Sequence, residues 1–427
     1  MSRLARFPLL KHGYRQHIVV MKPDTDVLIV GGGLNGPALA LALASGGIGS
    51  TIVDAMPKST LKNPEFDGRA YALSLTSVNM LKALGVWGSV AKNAQPMLDV
   101  YVSDGKAGEG ASPLSLHFDH REIEEGPMGH MVEDRYLRNT LLDALDAEPL
   151  VTQIVGKVIA QKSGSGTISA SLESGETITA RLLIGCDGRQ SGTAIRAGIP
   201  RIDKDYTQTA LVCAVDHEKP HNGTAHQFFM PAGPLAILPL PGNRSSIVWT
   251  ETPTRAAAIS AMSDQDYLDE LRPRFGDFLG EITLTGKRFT YPLGLVIAQS
   301  FTAERVALAG DAAHGVHPLA GQGLNLGLRD VATLAQTLIE AARIGEDIGN
   351  QITLKRYARW RRTDTAAMVG STDTINRVFS NDNPLLRLGR DLSLAAINAI
   401  PSARRSLIRE AAGLTGDLPK LMQGRQI

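Results

Sequence analysis

The sequence predicts an α/β fold: a nucleotide-binding domain on a parallel sheet, interrupted by an inserted mixed β-sheet domain and closed by C-terminal helices. Three observations predict it. A strand, glycine loop, helix and second strand follow one another from Asp26, short punctuated strands take over after residue 151, and a helical pattern runs from about Val331 onward.

The first element is "DVLIVGGGLNGPALALALASGGIGSTIVDAMP". Asp26 to Val30 is an apolar β-rich run, the glycines follow at once, and "PALALALA" continues as a helix with Pro37 in its first turn. "STIVDA" returns as a second strand that ends on Asp54. Gly31, Gly33 and Gly36 fit G-x-G-x-x-G, in which the first makes the tight turn, the second admits a pyrophosphate to the backbone, and the third lets helix pack on strand. The helix start offers unpaired N–H groups and a positive dipole end to the phosphates. Asp54 stands where a carboxylate accepts hydrogen bonds from an adenosine ribose. The loop is thus Rossmann-like and predicts a dinucleotide, without separating NAD from FAD.

Val27 to Val53 holds no charged residue but carries seven glycines, so it reads as buried strand, helix and strand rather than a membrane span. Residues 1–22 hold five Lys or Arg and no acid. No continuous apolar stretch follows those charges, so they read as an upstream extension and not a secretory signal. Next, "DGRAYALSLTSVNMLKALGVW" is a loop and a helix with Ser74, Thr76 or Ser77 as its cap. Residues 151–186 contain three or four strands set off by "SGSG" and "ESGE" turns, and residues 205–250 are again strand-rich.

These elements divide the chain. A basic extension covers 1–23; 24–90, 182–200 and 290–370 form a discontinuous nucleotide domain; 91–181 and 201–289 form a substrate domain; and 371–427 is a C-terminal helical region.

Length of 427 residues, 43% hydrophobic content and a net charge of +1 suit a globular enzyme and give no field for nucleic acid. The two cysteines, Cys186 and Cys213, are too few for a disulfide scaffold and favour a reducing, cytoplasmic setting. His314 and His317 lack the Glu of H-E-x-x-H, and "HFDH" at His117 to His120 has no supporting ligand, so no metal is expected.

Three separated stretches together resemble the single-component flavin aromatic monooxygenases: the glycine loop, "CDGRQSGTAIR" with Asp187-Gly188, Ser191 and Arg196, and "AGDAAHGVHPLAGQGLNLGLRD" with Gly310-Asp311. "GPLAILPLPGNRSSIVWT", "YPLGLVIAQSFTAERVALAGDAAHGVHPLAGQGLNLGLRD" and "STDTINRVFSNDNPLLRLGRDLSL" resemble the ubiquinone-biosynthesis branch of that family, a likeness that covers nearly the whole chain from Asp24. Asp54 departs from it, since many relatives carry Glu there.

The resemblance implies FAD as cofactor and NADPH or NADH as transient reductant. Reduced FAD would react with O2 to give a C4a-hydroperoxide, whose distal oxygen passes to the ring of a polyprenylated phenol. It implies that Asp311 accepts from the ribityl chain, that Gly310 lets that chain approach, and that Arg69 lies against the cofactor. Gly321, Gln322, Gly323, Leu324 and Asn325 would meet the flavin at a helix start, the glycines keeping side chains off its ring. Asp187 belongs to the same cofactor set. His226 and Tyr206 are candidate bases, although no catalytic residue is assigned; "GPLAILPLP" reads equally as a wall of the substrate site or as ordinary core.

So apolar a substrate implies contact with the inner membrane or a quinone-biosynthesis complex. Residues 374–427, with eight Lys or Arg against four acids, offer two amphipathic segments for that docking or for a packed helix pair, and a homo-oligomer is a further expectation. Two rival functions share the cofactor motifs: a flavin-dependent reductase, and an inactive FAD-retaining scaffold. Halogenases carry W-x-W, whereas Trp87, Trp249 and Trp360 stand apart.

Overall fold

A computed structural model describes residues 22–62, 65–66, 68–108, 110–111, 114–316, 321–379 and 393–427, with backbone alone at 110–111, 367–369 and 371–379. The basic extension up to residue 21, His317 and the "NDNPLLRLGRDL" stretch lie outside the described residues.

The nucleotide domain is one twisted sheet. Its path runs Val158–Ser163, Ile168–Leu172, Thr177–Gly185, Thr25–Val30, Ser50–Asp54 and Val151–Val155, and Val306–Leu308 joins Thr177–Gly185 in parallel. Leu28, Ile29, Leu182, Leu183 and Ile184 are wholly buried, as strands covered on both faces must be. The uncharged stretch from Val27 to Val53 is the strand, helix and strand that its glycines predict. Its helix, Asn35–Ala44, is buried from Gly36 to Ala44 because the long helix Gln322–Arg343 and the helix Asp134–Ala147 both pack on it.

The domain boundaries need correcting here. The sequence pattern assigns residues 151–181 to the substrate domain, yet all four of their strands hydrogen-bond into the nucleotide sheet, two of them parallel to Thr25–Val30 or Ser50–Asp54. Their "SGSG" and "ESGE" turns suit any hairpin, so local pattern does not tell which sheet they extend.

The substrate domain is a second sheet of long strands, chiefly Asp99–Lys106, Arg201–His217, Thr224–Met230, Gly233–Leu240, Arg244–Glu251 and Ile282–Ala298, so residues 290–298 also leave the nucleotide domain to which the sequence pattern assigns them. Side chains alternate across it. Leu235, Ile237, Ile247 and Trp249 face Ile259, Tyr267 and Leu271 of the covering helices Pro253–Ser260 and Asp264–Phe275. Ala236, Leu238 and Val248 face the opposite way, toward the nucleotide domain. "GPLAILPLP" is therefore core on one face and lines a cleft with the other.

A three-stranded sheet of Ala70–Ser74, Ala94–Met97 and Gly129–Glu133 lies between the two domains. Ser74 closes it and caps the helix Leu75–Ala83, its hydroxyl accepting from the Ser77 N–H at 3.3 Å. The C-terminal helix Pro401–Ala411 packs Ile408 and the adjoining Ala412 against Leu75, Ile123 and Met128, held by Arg404 on Glu122 and Arg409 on Glu125 at 2.6 Å each. No helix among the described residues is long and apolar enough to cross a membrane.

Candidate cofactor site

Two hollows flank the glycine loop. On one side a small pocket is lined by Gly32, Ile52, Asp54, Met56, Gln153 and Val155. Asp54 ends its strand there, accepting from the Gly32 N–H at 2.5 Å and from the Met56 N–H at 2.7 Å. On the other side opens a cleft of about 450 Å³, walled by Gly33, Leu34 and Asn35, by Cys186, Gly188 and Arg189, by Asp311 and Val316, and by Gly321, Gly323 and Leu324. All three motifs meet at it, because the strands Thr25–Val30, Thr177–Gly185 and Val306–Leu308 lie side by side with their C-terminal ends at one edge.

The glycines have distinct reasons. Gly31 has φ of +111°, and a Cβ there would stand 2.4 Å from the Cys186 carbonyl oxygen; one on Gly36 would stand 2.0 Å from the Gly31 oxygen. Gly33 meets nothing within 4 Å, so its lack of a side chain serves the cleft and not the packing. Gly310 has φ of +63° and Gly321 has φ of +66°, both left-handed.

Two helix starts point at the cleft without a side-chain cap, that of Asn35–Ala44 and that of Gln322–Arg343 behind Gly321. Their first-turn N–H groups and positive dipole ends suit anionic groups. The Asn35 Oδ1 atom is likewise buried with no partner among the described residues. A pyrophosphate at the first helix, a ribose at Asp54 and a flavin pyrimidine edge at the second fit this arrangement, whereas a mononucleotide would leave one hollow empty.

Several residues do not line the cleft as the sequence motifs imply. Asp187 turns its carboxylate to the helix Gly192–Arg196, accepting from the Ser191 hydroxyl at 2.5 Å and the Thr193 N–H at 2.9 Å. Asn325 is buried and spends its amide on the Ser74 N–H, the Ser77 hydroxyl and the Ala72 carbonyl, at 2.8 to 2.9 Å. Both hold neighbouring segments in place. Gln322 sits half-buried in the first turn of its helix. His226 projects with Ile237, on the sheet face away from the cleft, where burial pushes its imidazole down to about 4. Tyr206 packs on the Leu295, Val316 and Leu326 cluster beside the cleft.

Sequence reasoning missed three groups. Arg189 donates to the Gly294 carbonyl at 3.1 Å and the Val316 carbonyl at 2.6 Å and lies 3.5 Å from Asp311, tying two motifs to the substrate sheet. Asp134 is buried beneath Tyr71 and Arg138 of the cleft wall, accepting the Tyr71 hydroxyl at 2.8 Å and a forked pair from Arg138 at 2.8 and 2.9 Å, with Arg69 at 3.5 Å. Burial alone would raise its carboxyl, but Arg138 above all, with Arg69 and Tyr71, holds it below the usual carboxylate range. The third is Asp330, behind the Gly310-Asp311 loop. It accepts from the Gly310 N–H at 2.9 Å, from His314 at 2.5 Å and from Arg361 at 2.6 Å, and all three side chains are fully buried.

Comparison with known proteins agrees with this geometry. Residues 24–372 match the family described as FAD binding domain. Ubiquinone hydroxylase UbiL of Rhodospirillum rubrum is 43% identical over 403 residues, 93% of this chain and 92% of the relative. The 3-demethoxyubiquinol 3-hydroxylase of Escherichia coli is 35% identical over 91% of this chain and 99% of its own. In fold, p-nitrophenol 4-monooxygenase PnpA from Pseudomonas putida DLL-E4 matches with a TM-score of 0.76 at 20% identity, covering 92% of this chain and 98% of that one. Three motifs converging on a double hollow, together with a family match over most of the chain, show that this protein belongs to the FAD binding domain family and that FAD is its cofactor.

Proposed function

We propose that the chain is an FAD-dependent NAD(P)H:O2 monooxygenase that hydroxylates the ring of a polyprenylated phenol in ubiquinone biosynthesis. The observation that carries this reading is the cleft itself, whose cofactor side is polar and glycine-lined and whose facing wall is apolar. Similarity to ubiquinone hydroxylases along nearly the full chain supports the substrate class.

When bound, FAD supplies two-electron reduction by a nicotinamide and activation of O2. The chain's own tasks are to bind, orient and keep dry. Gly31, Gly33 and Gly36 would seat the pyrophosphate, and Asp54 the ribose. Gly310 and Asp311 would take the ribityl chain, while the start of Gln322–Arg343, with Gly321, Gly323 and Leu324, would receive the pyrimidine edge and favour its negative charge. Arg69, beside Tyr71 and Arg138, would meet the cofactor from the small sheet. Ala236, Leu238, Val248, Val316 and Leu324 would exclude water and place the phenol ring.

Residues 374–427 remain part of the proposal as a docking region for a lipid surface or a biosynthetic assembly. The helix Pro401–Ala411 turns Ile408 into the body and presents Leu407, 39% exposed, to the outside.

The test is mass spectrometry of the quinone pool with and without the gene. A precursor lacking one ring oxygen should accumulate on deletion, and its fragmentation gives the carbon. An unchanged pool in a strain without a redundant hydroxylase refutes the substrate assignment.

A further inference from the structure

We infer that Asp330 is the positioning residue of the flavin-facing Gly310-Asp311 loop, acting through a buried tie to His314 and Arg361. A carboxylate out of water costs several kcal/mol unless matched, and packed apolar side chains at such a site would stabilise the fold as well. What the ion cluster adds is register. Asp330 takes the Gly310 N–H directly at 2.9 Å, so its carboxylate fixes the Ala309–Gly310 peptide, one link before the Asp311 that lines the cleft.

The loop is held at successive residues. The Leu308 carbonyl accepts from the Tyr357 hydroxyl at 2.7 Å, the Ala309 N–H donates to Gly185 at 2.9 Å, and the Gly310 N–H goes to Asp330. Tyr357 and Arg361 sit one turn apart on the helix Gln351–Phe379, and His314 returns from beyond the loop. Gly310 is left-handed, and a Cβ on it would stand 2.1 Å from the Asn35 amide nitrogen, so the loop has no slack toward the glycine turn.

The cluster also carries a cost that packing alone would not retain. His314 Nδ1 and Arg361 Nη2 are buried with no partner among the described residues. Burial would raise the Asp330 carboxyl, but His314 and Arg361 hold it below its ordinary range, so it stays an anion facing the loop.

This inference rests on FAD occupying the cleft and is independent of the substrate. The test uses full-length holoprotein: FAD release on dilution, read by flavin fluorescence, the visible circular dichroism of bound flavin, and thermal melting at saturating FAD. Asp330→Asn and His314→Ala should each weaken FAD binding about tenfold or more, a loss of ~1.4 kcal/mol for one misplaced buried group, and should alter the visible dichroism. His314→Gln, which restores an N–H donor toward Asp330, should move both readouts back toward wild type. If Asp330→Asn does not fold, the His314 pair decides alone. Folded variants that melt lower but hold FAD within about twofold of wild type, with unaltered dichroism, would overturn the inference and leave the cluster a purely structural one.

Discussion

Replacing Gly33 and Gly36 by alanine, one at a time, separates the two jobs of the glycine loop. At Gly33 an added methyl would have nothing within 4 Å and φ is not positive, so alanine fits the protein alone. Its effect on unliganded stability should be neutral or favourable by about 0.4–1 kcal/mol, through the unfolded chain. The methyl would instead stand in the cleft where the pyrophosphate meets the backbone. Loss of one charge-assisted hydrogen bond there is worth ~1.5–3 kcal/mol, which weakens FAD binding about 10- to 150-fold. Gly36→Ala is the converse, since its methyl meets the Gly31 oxygen at 2.0 Å, a backbone atom with nowhere to go. Helix and turn must part, at a cost of about 1–3 kcal/mol in folding as well as in binding. Thermal melting without FAD and fluorescence titration with it measure both numbers. Wild-type affinity in Gly33→Ala would refute the placement of the pyrophosphate, and an unchanged unliganded melt for Gly36→Ala would refute the close packing of helix on turn.

Removing Asp134 should leave Arg138 buried without its partner, and Asp134→Ala should cost ~3–5 kcal/mol in urea unfolding, against about 1 kcal/mol for Tyr71→Phe. His130 and His226 are each pushed from an ordinary 6.5 down to about 4, chiefly by burial. With folded values below unfolded ones, the unfolded chain binds more protons between those limits, so stability should be full above pH 6.5 and fall toward pH 4. Urea midpoints at about pH 7.5 and 5.5 should differ less in His226→Phe than in wild type, and an equal difference counts against burial of the neutral ring. Ending the chain after Ile400 uncovers Leu75, Ile123 and Met128 and removes buried Leu421 and Met422; a lower melting temperature is expected, and an unchanged one would mean the segment is not part of the core.

The parts of the fold legible in the sequence are those whose cause is local. The turn at Gly31, the helix behind it, a cap at Ser74, Thr76 or Ser77 and the apolar strand ending in "LLIG" each follow from residues a few positions apart. The allocation of residues 151–181 to a sheet is not legible, because a hairpin carries no mark of the strand it will join. The same divide runs through the site. Gly33 and Asp311 sit in patterns that advertise ligand contact, whereas Asp187 and Asn325 sit in the same patterns and turn inward, a difference of side-chain direction that spacing does not encode. Asp330 and Arg361, 31 positions apart, become partners only when two long helices cross. Arg138 and Asp134 share a helix turn, yet only burial under the small sheet makes that pair more than surface charge.

The side-by-side order of the three motif strands also has a consequence for how the protein is made. The glycine turn leaves the ribosome early, while its neighbours at Gly310 and Gly321 follow almost three hundred residues later. At about 5–20 residues per second, that is a delay of roughly 15–60 s. For that interval the very apolar helix Asn35–Ala44 lacks the long helix that covers it, and no cofactor site exists to be filled. FAD therefore meets a chain whose nucleotide sheet is already complete, and the nascent form is the one that leaves this apolar helix uncovered.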